Sequence, residues 1–169
     1  MVLVSKVRRV IAAGVALLIG GGLGTSAFAE EAPPSGAQPL SAVELHKLYR
    51  DKTWTWDNGA VRFIDDGRRF LAWVNGEKGE SYGEGRFTLS DSGRLCLRGK
   101  WTDSSGTQAN TTCFLHREAG GTIYQKREND GVWYIFRHDP VRPGDEVNTL
   151  TADDTVTQPV DAIRRKFNG

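Results

Sequence analysis

Between Lys52 and Arg137 the chain alternates apolar and polar residues in short runs, each closed by a glycine-containing turn. Alternation with period two marks a strand that buries one face. Eight such runs stand out: Thr53–Trp56, Ala60–Ile64, Arg69–Val74, Ser81–Leu89, Arg94–Thr102, Thr107–Arg117, Thr122–Arg127 and Val132–Arg137. The breaks carry turn chemistry, as in Asp57-Asn58-Gly59, Asp65-Asp66-Gly67, Asn75-Gly76, Asp91-Ser92-Gly93 and Gly120-Gly121. One strand per roughly 11 residues is the spacing of a sandwich or barrel. Because every connection is short, each strand pairs antiparallel with the next. A meander of this length hides its two edges best by closing. The pattern predicts an all-β fold, an eight-stranded antiparallel up-and-down barrel.

Two runs break the alternation. Phe70-Leu71-Ala72-Trp73-Val74 and Val132-Trp133-Tyr134-Ile135-Phe136 are apolar on both faces, so their outward sides need cover. Flanking helices could supply it, and so could a partner protein. Before the strands, Ser41 with Glu44 three residues on forms a capping box, and Leu40 with Leu45 a hydrophobic staple. Leu45, Leu48 and Tyr49 then give a short helix one apolar side, ending near Arg50. Near the C-terminus, Asp161–Phe167 reads as a short helical stretch, with Arg164, Arg165 and Lys166 suited to its C-terminal end.

The N-terminus follows a different pattern. Lys6, Arg8 and Arg9 precede an uncharged apolar run from Val10 to Gly24 and then Ala27-Phe28-Ala29. Basic head, apolar stretch and small-residue site are the layout of a secretory signal peptide cleaved near Ala29. The run is shorter than the ~20 residues that span a bilayer, so the mature chain is expected to have no transmembrane segment. The expected divisions are a signal peptide at 1–29, a proline-rich flexible leader at 30–39, one barrel domain at 40–156 and a tail at 157–169. The whole chain has 22 basic and 21 acidic residues; three of the basic ones leave with the signal, so the mature protein has 19 against 21, net −2. That balance argues against nucleic acid as a partner. A periplasmic or secreted location follows from the signal.

The two cysteines sit in neighbouring strands of a chain addressed to an oxidising compartment, which predicts a disulfide. If Ser104-Ser105 is a two-residue hairpin loop, position 103 faces 106, and the same register sets Cys96 opposite Cys113. Alternate rungs make that a non-hydrogen-bonded pair, whose Cα atoms approach to about 4.5 Å. The absence of a C-x-x-C motif argues against a redox-active pair.

Catalytic signals are missing. The three histidines, His46, His116 and His138, form no H-x-H or H-E-x-x-H motif, and there is no G-x-S-x-G, S-x-x-K or P-loop. No metal site, cofactor or catalytic residue is expected. His116 and His138 read as ordinary surface residues at strand ends, and a small hydrolase built around His138 is a third-ranked alternative. The aromatic residues say more. Trp54, Trp56, Trp73, Trp101 and Trp133 are spread over the strands, and an eight-stranded barrel either packs its interior or holds one small ligand. Both outcomes stay open on composition alone.

Several runs together resemble a known family. They are Leu48-Tyr49…Lys52-Thr53-Trp54-Thr55-Trp56, Tyr82-Gly83-Glu84-Gly85, Gly93-Arg94-Leu95-Cys96, Thr111-Thr112-Cys113-Phe114, Ile123-Tyr124-Gln125, Asp130-Gly131-Val132-Trp133-Tyr134 and Gly144-Asp145-Glu146. Over Leu40 to Val156 the chain resembles the exported bacterial proteins grouped as domain of unknown function 995. The resemblance implies one small exported β-rich domain and supplies no activity. A helix followed by a tryptophan-bearing first strand is also similar to lipocalin-type barrels in architecture. The expected function is an exported, non-catalytic binding protein that holds a small apolar or amphipathic ligand through Trp54, Trp56, Trp73, Trp101 and Trp133. The alternative is a cell-envelope interaction module with a filled barrel, using its two-faced strands to contact a protein partner.

Overall fold

The computed structural model describes residues 31–129 and 131–168; the signal-peptide reading at 1–29 lies outside them. The elements in order are β1 (Gln38–Pro39), α1 (Ala42–Tyr49), β2 (Thr53–Trp56), β3 (Gly59–Ile64), β4 (Arg69–Gly76), β5 (Gly79–Ser90), β6 (Arg94–Asp103), β7 (Gly106–Ala119), β8 (Thr122–Arg127), β9 (Tyr134–Arg137), β10 (Leu150–Thr151) and α2 (Thr157–Asn168). Single 3-10 turns occupy Asp66–Arg68 and Glu146–Thr149. Neighbouring strands pair antiparallel in the order β10-β2-β3-β4-β5-β6-β7-β8-β9, with β1 added beside the end of β7. The all-β meander is therefore as expected, and all eight expected strands are present.

Strand count and closure differ from expectation. Among the described residues there are ten strands, because Gln38–Pro39 and Leu150–Thr151 each add two rungs. The ladder does not close among the described residues, and the sheet is a curled half-barrel whose path ends at β9 and β10. Two features hold the seam open. β10 takes the edge of β2, pairing Leu150 with Trp54 and Thr151 with Thr53. β9 is only four residues long, and the Glu146–Thr149 turn packs against both it and β2. Side chains bridge the gap instead: Phe136 of β9 meets Trp54 of β2 edge-to-face at 6.2 Å between ring centres.

Helix α1 starts where its sequence predicts. Glu44 N–H donates to Ser41 Oγ and Ser41 N–H to Glu44 Oε2, a complete capping box. Its buried side, Leu45, Leu48 and Tyr49, plugs one end of the half-barrel against Phe63, Phe70, Phe87, Leu95 and Phe136. Helix α2 is longer than the expected Asp161–Phe167 because Asp154 caps it, accepting from the N–H groups of Val156 and Thr157 and from the Thr157 hydroxyl. Pro159 falls in its first turn, where a missing N–H costs nothing.

Cover for β4 comes from within the chain. Its outward Leu71 and Trp73 pack with Ala60 and Tyr82 against Val156 and Val160. Exposed ion pairs from Arg164 to Glu84 and from Lys166 to Glu80 add little energy but orient α2. On β9 the outward face is only partly covered. Lys126 lies over the Trp133 ring at 5.3 Å, and Glu31 N–H donates to the Trp133 carbonyl.

The β6–β7 hairpin has the predicted register. Asp103 faces Gly106, and Cys96 faces Cys113 with Cα atoms 4.1 Å apart, joined by a disulfide. Both cysteines are buried. Closing a loop of this length removes unfolded-state freedom worth about 3 kcal/mol. The double substitution Cys96→Ala/Cys113→Ala should lower unfolding free energy by roughly 2–3 kcal/mol in urea titrations. It should leave far-UV circular dichroism unchanged, because the ladder itself stays intact.

Candidate functional site

Register decides where the half-barrel is full and where it is empty. One inward rung runs Trp54–Val61–Ala72–Gly83–Trp101 across β2 to β6, and the next runs Trp56–Gly59–Val74–Ser81 across β2 to β5. The middle strands contribute small side chains or none, and tryptophans stand on the flanking strands. The result is a cavity of about 530 Å³ at the end opposite α1. Leu97 and Phe114 complete its apolar lining, and Ser81, Asn110, Thr112 and Arg127 bring polar groups to it.

The five tryptophans separate into two groups. Trp54, Trp56 and Trp101 line the cavity. Trp73 faces the other side of β4 in the cluster under α2, and its buried Nε1 has no hydrogen-bond partner among the described residues. Trp133 lies outside the cavity lining, beneath Lys126. Trp54 forms the floor. It packs on Phe114 at 5.0 Å between ring centres, and its Nε1–H donates to Glu146 Oε1 at 2.6 Å. Burial raises the Glu146 carboxyl above its ordinary range, the Trp54 N–H pulls the other way, and the charge of Asp57 adds to the rise.

Beneath that floor lies a buried polar chain that strand patterning did not reveal. The Tyr134 hydroxyl donates to Gln125 Oε1, and Gln125 Nε2 donates to the Tyr49 oxygen at 2.7 Å. Tyr49 in turn donates to His116 Nε2 at 2.7 Å, and His116 Nδ1–H donates to the Gly93 carbonyl at 3.1 Å. A carbonyl only accepts, so the proton of the neutral ring sits on Nδ1 and Nε2 is the acceptor. His116 is thus not the surface residue its strand-end position suggested; it is completely buried. Burial lowers its pKa to about 4, although the Gly93 carbonyl favours the charged form. Gly93 has φ +76°, and a Cβ there would fall 2.2 Å from the His116 carbonyl oxygen. Only glycine allows this approach. Burial also raises the Tyr49 hydroxyl well above its ordinary value. The one sequence sign of the chain is Gln125, which shares a strand face with Ile123.

With this geometry in place, the comparisons with known proteins can be read. The family model described as Protein of unknown function (DUF995) matches residues 16–156. The chain belongs to this family. No curated protein and no solved structure matches the chain.

A second polar group in this DUF995 domain involves His138. Its Nδ1 lies 2.6 Å from Asp145 Oδ1, and Asp145 Oδ2 accepts from the N–H groups of His138 and Arg142. Burial opposes the Asp145 charge, but these donors outweigh it and lower its pKa. The adjacent Asp139 is not the partner; its carboxyl abuts Gly121. Among the described residues no hydroxyl or thiol hydrogen-bonds to His138, and no group of three or more His, Cys, Asp or Glu is gathered as for a metal ion. Asp145 instead ties together the turn between β9 and the Glu146–Thr149 segment.

His116 makes stability depend on pH in a defined direction. Its folded pKa, about 4, is below the unfolded value of 6.5. The unfolded chain therefore takes up a proton first as pH falls. The native state keeps its full margin above pH 6.5 and loses up to about 3 kcal/mol between there and pH 4. His116→Leu should unfold more easily at pH 7, by roughly 1–3 kcal/mol, because the Tyr49 hydroxyl loses its acceptor. It should also flatten the dependence of Tm on pH across that window.

Proposed function

We propose that this protein is an exported, non-catalytic carrier or sensor that holds a small apolar or amphipathic molecule in the cup formed by Trp54, Trp56 and Trp101. The observation that carries this reading is the cavity of about 530 Å³, a size typical of small-molecule sites. Its lining is mostly aromatic and aliphatic, with a few polar groups, the usual make-up of a ligand pocket. The polar groups are hydroxyl, amide and guanidinium, which offer hydrogen bonds to a bound molecule. They suit orienting it. Export is supported by the basic, apolar and small-residue segments ending at Ala29 and by the disulfide.

The rival interaction module loses one of its two surfaces, because α2 already covers the outer side of β4. Intrinsic tryptophan fluorescence, titrated with fatty acids and hydrophobic dyes, tests the proposal. A saturable shift or quench is expected, and Thr112→Trp, which places an indole in the cavity, should weaken it about tenfold or more without lowering Tm. A flat response to every probe up to its solubility limit would sink the proposal.

A further inference from the structure

Two of the three cavity tryptophans are held in an unusual way. A Cβ built on Gly83 would fall 2.6–2.9 Å from three ring carbons of Trp101, and one built on Gly59 would fall 2.7 and 2.8 Å from ring carbons of Trp56. In both pairs the glycine is the tryptophan's own cross-strand partner. Each indole therefore lies flat against bare backbone on a neighbouring strand, one face on the sheet and the other on the cavity. Gly59 and Gly83 are on β3 and β5 and two residues apart in register, so the rings flank β4 on successive inward rungs, roughly 12 Å apart. Between them β4 presents Ala72 and Val74. Neither is bulky enough to stand above the rings.

From this arrangement we infer that the cup selects a flat, rigid ring system over a flexible acyl chain. The inference rests on the binding proposal above and names the ligand class for that cup. The surface on offer is apolar, two indole faces on a curved sheet with Ala72 and Val74 between them. A fused-ring or aromatic ligand lays a whole face on an indole and loses no internal rotation on binding. A straight chain of the same volume touches the indole along one line and must be immobilised bond by bond. Aromatic pairs in offset or edge-on contact also gain attraction beyond the area they bury. Ser81, Asn110 and Thr112 hold the hydrogen-bonding groups at the cavity lining, so a polar substituent on one edge of the ring system completes the match.

Calorimetric titration of the mature, oxidised protein with pyrene-1-carboxylate and with dodecanoate tests the inference, since the two share a head group and differ in shape. Pyrene-1-carboxylate is expected to bind about tenfold or more tightly than dodecanoate. Gly83→Ala should tip the Trp101 ring off the wall and remove most of that preference. Should Gly83→Ala fail to fold, Trp101→Leu keeps the apolar cover, loses the ring face and should likewise abolish the preference. Equal or tighter binding of dodecanoate overturns the ring preference and leaves the binding proposal standing. So does an undiminished preference in Trp101→Leu. No binding of either probe overturns both.

Discussion

Tyr49 carries its hydroxyl into the centre of an apolar interior, where leaving it unpaired would cost on the order of 1–3 kcal/mol. Everything around it is arranged to avoid that cost. The helix must dock at one depth and one rotation for the oxygen to meet both Gln125 and His116. Those two residues come from adjacent strands, and Tyr134 and Gly93 extend the pairing to β9 and to the turn before β6. Five segments are thereby keyed to one another by hydrogen bonds that all run in one donor direction. Apolar burial alone would let α1 slide; this chain of donors specifies where it stops.

The empty end of the half-barrel follows from the same register that fills the other end. Along β3, β4 and β5 the inward positions are large near α1, at Phe63, Phe70 and Phe87, and small farther out, at Gly59, Ala72, Ser81 and Gly83. A sheet of uniform side-chain size would pack solid or gape throughout. The size gradient along the strands makes a core and a cup from one continuous surface. β4 also separates two apolar environments by a single backbone layer, with Ala72 and Val74 facing the cup and Leu71 and Trp73 facing α2.

Local features of this design were legible in the chain. Ser41 and Glu44 announced the start of α1, period-two alternation placed the eight main strands, and the pairing of Cys96 with Cys113 followed from one hairpin loop. Features that depend on distant segments were not. Leu150–Thr151 carries too short a run to read as a strand, yet it takes the edge of β2 and so prevents the expected closure. Asp154 gives no sign of capping until the helix it caps is in view. Trp73 and Trp101 are alike in composition, and only strand parity sends one under α2 and the other into the cup. His116 looked exposed because strand ends usually are. Here Tyr49, Gln125 and Phe136 enclose its ring and the Gly93 turn meets its backbone, and none of these contacts has a local sign.

The seam between β9 and β2 gives the molecule its mechanical character. Elsewhere the wall is a continuous ladder of peptide hydrogen bonds, and across β6 and β7 it is also covalently riveted, so it behaves as a stiff plate. At the seam Phe136 meets Trp54 and the Glu146–Thr149 turn packs on both strands, with Glu146 holding the indole from behind. Parting those rings breaks no backbone ladder. The half-barrel is a hoop fastened by a side-chain clasp in place of a last pair of strands.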